Sequence, residues 1–172
     1  MKSIIIVSVL FSLVALPICK VAAQEDKSTR PSPPAEAHAK IGDNAVGIYY
    51  SSPAVKERVI WGDLVPYGKV WRTGANEATV FETSGDLVIN GQKLPAGKYG
   101  LFTVPGEKEW TIIFNSVWDQ WGAFKYDASK DVLRIQAKPE KSASFNERMK
   151  FEITDHVISL LWENLKVSFM AK

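Results

Sequence analysis

The chain has 172 residues, 46% of them hydrophobic, with 21 basic and 19 acidic residues and a single cysteine. This length and composition are sufficient for one hydrophobic core. The near balance of charge gives no electrostatic basis for binding nucleic acid or an anionic membrane surface, and one cysteine cannot form an intrachain disulfide.

The N-terminal residues have the three-part layout of a secretory signal peptide. A basic start at Lys2 precedes the apolar run IIIVSVLFSLVALPI, and the small residues VAA end at Ala23. The run is too short for a spanning helix, so we predict a signal peptide over residues 1–23, no transmembrane segment in the mature chain, and a periplasmic or secreted protein. Lipid attachment through Cys19 is the less favoured alternative, because Ile18 is bulky where lipoprotein processing prefers a small residue.

Residues 24–40 are polar and rich in proline and alanine. The segment QEDKSTRPSPPAEAHAK has almost nothing to bury, which predicts a flexible leader. The folded domain is therefore expected over residues 41–172.

Short runs of β-branched and aromatic residues recur through this region, separated by Gly, Pro, Asn and Asp, and none has a helical period. Asn90-Gly91 predicts a tight hairpin turn, since both residues accept positive φ. In DVLRIQAK, Leu133, Ile135 and Ala137 alternate with polar residues, as in a strand with one buried face. The other predicted strands are AVGIYYSSP, VIW, KVWR, ATVFET, DLVI, KYGLFTV, EWTIIFN, ERMKFEI, HVISLLW and LKVSFM, the last two joined across Glu163-Asn164. This pattern predicts a single all-β domain, an antiparallel β-sandwich or jelly-roll-like barrel.

Several catalytic motifs are absent from the sequence. It contains no G-x-S-x-G or H-E-x-x-H motif, and no serine is followed by lysine at the S-x-x-K spacing. There are two histidines, His38 in the predicted leader and His156 beside Asp155, which we interpret as a turn histidine. We therefore predict no metal site and no cofactor.

The stretch VWRTGANEATVF (70–81) places polar residues inside strand-forming sequence. One interpretation is a hairpin between KVWR and ATVFET, closed by an Arg72–Glu77 ion pair, with Gly74 and Asn76 accepting left-handed backbone. The other is a pocket in which Arg72, Asn76 and Glu77 hold a hydroxylated or carboxylated small molecule. In that pocket Glu77 could act as a general base if burial raised its pKa.

Aromatic residues near this stretch are candidate stacking surfaces. Trp61, Tyr67 and Trp71 precede the turn closely. Trp118 and Trp121 lie in NSVWDQWGAFKYD, which predicts a loop; their rings suit sugar stacking, or the loop packs onto the sandwich. Trp110 and Trp162 lie within strand runs and are predicted to be core.

The motifs SSP, WGDLVPYGKVWRTGANEAT, NGQKLPAGKY and EWTIIFN occur in that order. In them the chain resembles a family of exported bacterial proteins, widespread in the Bacteroidetes group and known as domain of unknown function 2911. The resemblance covers about residues 30–151 and is least distinct after Thr154. It implies an exported location and no particular reaction.

Three functions remain open on the sequence. The first is a module that binds a small polar or carbohydrate ligand and has no catalytic activity. The second is a hydrolase or isomerase with Glu77 as acid/base, Arg72 as anion clamp and Asp63 as a candidate second carboxylate. The third is a structural envelope protein without a ligand. The ligand-binding candidates are Arg72, Asn76, Glu77, Trp71, Trp61, Tyr67, Trp118 and Trp121.

Overall fold

Strands make up nearly all of the regular structure in the computed structural model, which describes residues 26–172. The predicted signal peptide, residues 1–23, lies outside the described residues. Two 3₁₀ turns occur, at Lys27–Thr29 and Ala128–Lys130. The strands are β1 (Pro34–Ile41), β2 (Asn44–Ser51), β3 (Thr79–Thr83), β4 (Leu87–Ile89), β5 (Gln92–Leu94), β6 (Gly97–Val104), β7 (Trp110–Asn115), β8 (Asp131–Ala137), β9 (Pro139–Thr154) and β10 (Val157–Met170).

The strands form two layers with the core between them. A six-stranded antiparallel sheet has the order β1-β2-β3-β6-β7-β8, while β9 pairs with β10 and β4 with β5. Ile48 and Phe81 from the large sheet and Ile158 and Trp162 from β10 belong to the same buried cluster. The predicted all-β, sandwich-like single domain is thus confirmed.

Strand β10 turns back on itself in its middle. The hydroxyls of Ser159 and Ser168 lie 2.9 Å apart, whereas nine residues of straight strand would separate them by about 30 Å. Glu163, between them, has a φ of 56°. The sequence predicted two strands joined across Glu163-Asn164; the structure instead has the single strand β10, bent at Glu163, and its two halves pair with opposite ends of β9.

Local sequence patterns determined most of the other strands. Asn90 and Gly91 have φ values of 45° and 86° and join β4 to β5. Leu133, Ile135 and Ala137 are buried in β8, with exposed residues between them. These predictions are confirmed because the local pattern and the burial of one sheet face agree.

The predicted leader is wrong for its second half, because the large sheet begins at Pro34. Strand β1 pairs with the whole of β2, from Pro34 opposite Ser51 to Ile41 opposite Asn44. Ala35 and Ala37 pack against the core, while Glu36 and His38 are exposed. The strand alternates with a period of two, but its inward-facing residues before Ile41 are alanines, which carry little β propensity.

Among residues 26–172, no helix is long and apolar enough to cross a membrane.

Candidate functional site

The loop that contains Arg72 to Glu77 connects two segments that both pair with strand β6. These segments do not pair with each other, so the predicted hairpin is wrong. Trp71 pairs with Thr103 of β6, and Thr79 pairs with Leu101 of the same strand. The chain therefore leaves the edge of β6 after Trp71 and returns to it at Thr79. The amide of Thr79 donates to the Arg72 carbonyl at 3.2 Å and closes the loop.

Two left-handed residues and one close contact shape this loop. Thr73 and Asn76 have φ values of 57° and 56°. Gly74 does not have positive φ; a Cβ there would lie 3.1 Å from the Ser51 carbonyl oxygen and 3.0 Å from Thr79 Oγ1. Asn76 thus has the predicted left-handed backbone, but Gly74 is required for close packing against β2.

Glu77 pairs with the N-terminal segment and not with Arg72. Its Oε1 accepts from Lys27 Nζ at 2.8 Å and from Arg30 Nη1 at 3.0 Å. The Arg30 guanidinium also lies over the Trp121 ring, 5.9 Å from its centroid, a distance typical of cation–π contacts. The predicted Arg72–Glu77 ion pair is therefore wrong.

The surroundings of Glu77 keep it ionised. Its partial burial raises the pKa, but hydrogen bonds from Lys27, from its own backbone and from Arg30 outweigh that effect and lower the pKa to about 2. A general base that works near neutral pH needs a pKa close to that range. The condition under which Glu77 would act as a base, a pKa raised by burial, is not met.

Asn76 holds the same N-terminal segment. Its Nδ2 donates to the Ser32 carbonyl at 3.0 Å. The Ser52 amide donates to the Pro33 carbonyl at 2.9 Å, which continues the attachment into β1. We call residues 26–33 the N-terminal arm. Asn76 and Glu77 fasten this arm to the sandwich.

Arg72 lines a separate cleft of about 160 Å³. Arg58, which sequence reasoning missed, lies in the same cleft, 14 positions away in the chain. Its Nε and Nη2 donate to the carbonyls of Val55 and Ala54 at 3.0 and 2.6 Å. The remaining lining residues are Ser32, Pro53, Leu64, Val65, Trp71, Gly74, Ala75 and Trp162, so the lining contains two arginines and no acid.

The guanidinium of Arg72 is not neutralised by the part of the chain that the structure describes. Arg72 is half-buried, and its Nε is buried without a hydrogen-bond partner among residues 26–172. No carboxylate within that range forms an ion pair with it. Burial lowers the pKa of Arg72 because it removes water from the charged form. The positive charge of Arg72 is therefore uncompensated by the residues that line the cleft, and an anion would compensate it.

Trp61 and Trp71 are half-buried members of a tryptophan cluster. Trp61 contacts Trp110 with a centroid separation of 5.1 Å, and Trp71 stacks on Trp162 at 5.9 Å and 17°. Trp71 Nε1 donates to the Gly74 carbonyl at 3.1 Å, which ties the loop to this cluster. Trp110 and Trp162 are buried, as predicted. Trp71 also lines the cleft, whereas Trp61 does not.

The other predicted aromatic residues lie outside the cleft. Trp118 and Trp121 are 39% and 56% exposed, in the loop that was predicted for them. Lys98 Nζ lies 4.9 Å from the Trp118 ring centroid, and Trp121 forms a bridge with Glu77. Tyr67 is 37% exposed. The eight candidates are thus divided among the cleft, the contacts with the N-terminal arm, the tryptophan cluster and the surface, and do not form one site.

Neither Asp63 nor His156 belongs to the cleft. Both are exposed, and His156 lies in the turn between β9 and β10, as predicted. The described residues contain no group of three or more His, Cys, Asp or Glu that could hold a metal ion.

Comparison with protein-family models matches residues 32–171 to the family described as protein of unknown function (DUF2911). The chain belongs to this family. Comparison with curated proteins and with solved structures gives no match. In this DUF2911 chain the match extends 20 residues beyond the limit at residue 151 expected from the resemblance. It includes Arg58, Arg72 and Glu77, but it begins after Lys27 and Arg30.

Proposed function

We propose that this protein binds a small molecule that carries an oxyanion, a carboxylate or a phosphate, in the cleft between Arg58 and Arg72. The observation that carries the proposal is the half-buried Arg72, whose Nε lacks an acceptor in residues 26–172. Removing a charged group from water without a partner is costly, and an anion in the cleft would neutralise the charge of the guanidinium.

The composition of the cleft supports an anion over a neutral or cationic ligand. Two guanidinium groups line it, and no Asp or Glu does. Arg58 uses two of its nitrogens on backbone carbonyls, which fixes the orientation of its planar group. A fixed guanidinium fork suits the two oxygens of a carboxylate or phosphate.

The size of the cleft limits what enters it. At about 160 Å³ it is smaller than the roughly 300–1,000 Å³ of pockets that enclose whole drug-sized ligands. It accommodates an acidic group and a few attached atoms, with Trp71 as an apolar wall. A sugar acid or sugar phosphate, with its ring partly outside the cleft, fits this description and keeps the carbohydrate ligand among the candidates.

The proposal gives Glu77 no catalytic role. Glu77 is paired with two cations of the arm and does not line the cleft. Binding without catalysis is therefore the function that these contacts support best.

The test is calorimetric titration of the protein with three matched ligands: glucose, glucuronate and glucose 6-phosphate. We expect at least one of the two acids to give heat that Arg72→Met abolishes, whereas any heat from glucose should be the same in wild type and in Arg72→Met. Binding should be lost in Arg72→Met and kept in Lys69→Ala, which removes an exposed positive charge elsewhere. The two acids separate a carboxylate site from a phosphate site. Equal binding of either acid by wild type and Arg72→Met would overturn the proposal.

A further inference from the structure

A second concavity, of about 480 Å³, lies on the side of the β9–β10 layer that faces away from the core. Met149, Phe151, Ile158 and Leu160 point inward from these strands and are buried in the core. The alternate residues line the concavity, with cross-strand pairs Lys150–Leu161 and Glu152–Ser159. We call this surface the outer groove.

The outer groove is formed by bending of the sheet. The pairing register of β9 and β10 shifts on both sides of Glu163, where β10 bends back. Strand β9 bends with it, in an arch around Asn146, the residue that pairs with Glu163. Ser142, from the arch, and Ser159 and Leu161, from the outer face, are all less than 10% exposed. Residues on the outer face of a flat sheet would be open to solvent, so these three form the floor of a recess.

The charges that line the outer groove cancel. Lys150 and Lys166 are opposed by Glu152 and Asp155. Lys150 Nζ lies 2.6 Å from Glu152 Oε1. This contact uses one of three ammonium donors and one of about four carboxylate acceptor sites, so both groups retain hydrogen-bonding capacity. The outer groove therefore favours a ligand that is neutral and rich in hydrogen-bonding groups, whereas the cleft of Arg58 and Arg72 favours an anion.

Hydroxyl groups and a small apolar floor complete the lining. Ser142, Ser144, Thr154 and Ser159 contribute the hydroxyls. Ser142 Oγ already accepts from Asn146 Nδ2 at 3.0 Å, and Ser159 Oγ shares a hydrogen bond with Ser168 Oγ at 2.9 Å, so each keeps only part of the capacity of a hydroxyl, which can donate one hydrogen bond and accept two. Val157, Leu161 and Ala143 contribute apolar surface. A sugar presents hydroxyls at its edges and C–H groups on its ring faces, which matches this mixture.

We propose that the outer groove is a second binding site, specific for neutral saccharides of one or two rings. Its volume lies within the range of small-molecule pockets, about 300–1,000 Å³. Glu152 and Lys150 hydrogen-bond to adjacent hydroxyls of the ring, Lys166 hydrogen-bonds to a further hydroxyl, and Leu161 contacts the apolar face of the ring. This proposal does not depend on the oxyanion cleft and stands even if no ligand binds there.

The experiment is a titration of isotope-labelled protein with cellobiose, maltose and lactose, monitored by backbone amide shifts. We expect at least one sugar to shift amides of residues 150–161 saturably and to leave tryptophan fluorescence unchanged, since none of the six tryptophans lines the outer groove. Glu152→Gln and Lys166→Ala should each weaken binding at least tenfold, and Glu109→Gln, an exposed turn residue elsewhere, should not.

The variants also separate the two sites. Arg72→Met should keep saccharide binding, and Glu152→Gln should keep oxyanion binding. The inference is overturned if none of the three sugars shifts groove amides, or if the shifts saturate equally in Glu152→Gln and Lys166→Ala. Unchanged thermal melting of both variants shows that a loss of binding is not a loss of folding.

Discussion

Arg72 and Glu77 belong to one loop and do not form an ion pair. Glu77 accepts from Arg30 at 3.0 Å and from Lys27 at 2.8 Å, whereas Arg72 Nε is buried with no acceptor in the described chain. The carboxylate nearest to Arg72 in sequence is thus neutralised by the N-terminal arm. The positive charge of Arg72 is therefore not paired within the loop and faces the cleft that Arg72 shares with Arg58.

Replacing Arg72 by Met should stabilise the ligand-free protein. The substitution removes a partly desolvated guanidinium whose Nε has no partner, and keeps the aliphatic stem. We expect the free energy of unfolding in urea to rise by about 1 kcal/mol. Arg134→Met is the matched comparison and should have the opposite effect, because Arg134 pairs at 2.7 Å with Asp131, whose side chain is 6% exposed. A loss of stability in Arg72→Met would show that Arg72 has a structural role.

The contact between Glu77 and the arm should make stability depend on pH in the acid range. The folded-state pKa of about 2 lies below the ordinary value of 4.5. The stabilisation is therefore fully present above about pH 4.5 and is lost as the pH falls towards 2. Glu77→Gln should melt below wild type at pH 6, with the difference disappearing near pH 2. Solvent screening keeps this difference small, since the Glu77 side chain is 37% exposed.

A double-mutant cycle assigns that effect to the arm. In a Lys27→Met, Arg30→Met background, Glu77→Gln should alter the acid-range melting curve very little. An undiminished effect of Glu77→Gln in that background would contradict the assignment.

Hydrogen exchange at the Ser52 amide measures how firmly the N-terminal arm is attached to the sandwich. Its hydrogen bond goes to the Pro33 carbonyl, at the end of the segment that Asn76 and Glu77 hold. The Asn76→Ala, Glu77→Gln double variant should speed hydrogen exchange at Ser52 about tenfold, the factor for roughly 1.4 kcal/mol of opening energy. Exchange at Thr103, whose amide donates to Trp71 in the sheet, should stay unchanged. Equal exchange at Ser52 in both proteins would show that other contacts hold the arm.

Gly74→Ala should destabilise the protein and weaken oxyanion binding together. The new Cβ would lie 3.1 Å from the Ser51 carbonyl oxygen, which belongs to β2 and cannot easily move. We expect a loss of about 1–3 kcal/mol in urea unfolding, typical of overpacking. Gly68→Ala is the comparison: it has positive φ and no atom within 4 Å of its added Cβ. Gly68→Ala should lower the free energy of unfolding through backbone strain but leave oxyanion binding normal.

Local patterns in the sequence were sufficient to predict most strands. In β8, apolar and polar residues alternate, and Asn90-Gly91 has the residues that a two-residue turn requires. These signals are local, so they can be recognised without knowledge of the neighbours. Strand β1 was missed because alanine forms its inward face, and Ala35 and Ala37 become strand residues through pairing with β2.

The candidate site was predicted only in part, since side-chain partners come from distant segments. Sequence reasoning selected Arg72 but paired it with Glu77, five positions away, because nearby opposite charges are the simplest pairing. It gave no reason to select Arg58, Lys27 or Ser159, whose surroundings arise from long-range contacts.

The sequence by itself determined the all-β class, the Asn90-Gly91 turn, the core tryptophans and the family, because these depend on residue type and spacing. Only the tertiary structure decided which cation meets which carboxylate. Glu77 pairs with the N-terminal arm, so Arg72 lies beside Arg58 in a cleft that no acid lines. Bending of β9 and β10 likewise turned an ordinary polar face into a recess. Both outcomes depend on how distant parts of the chain pack, which no local pattern specifies.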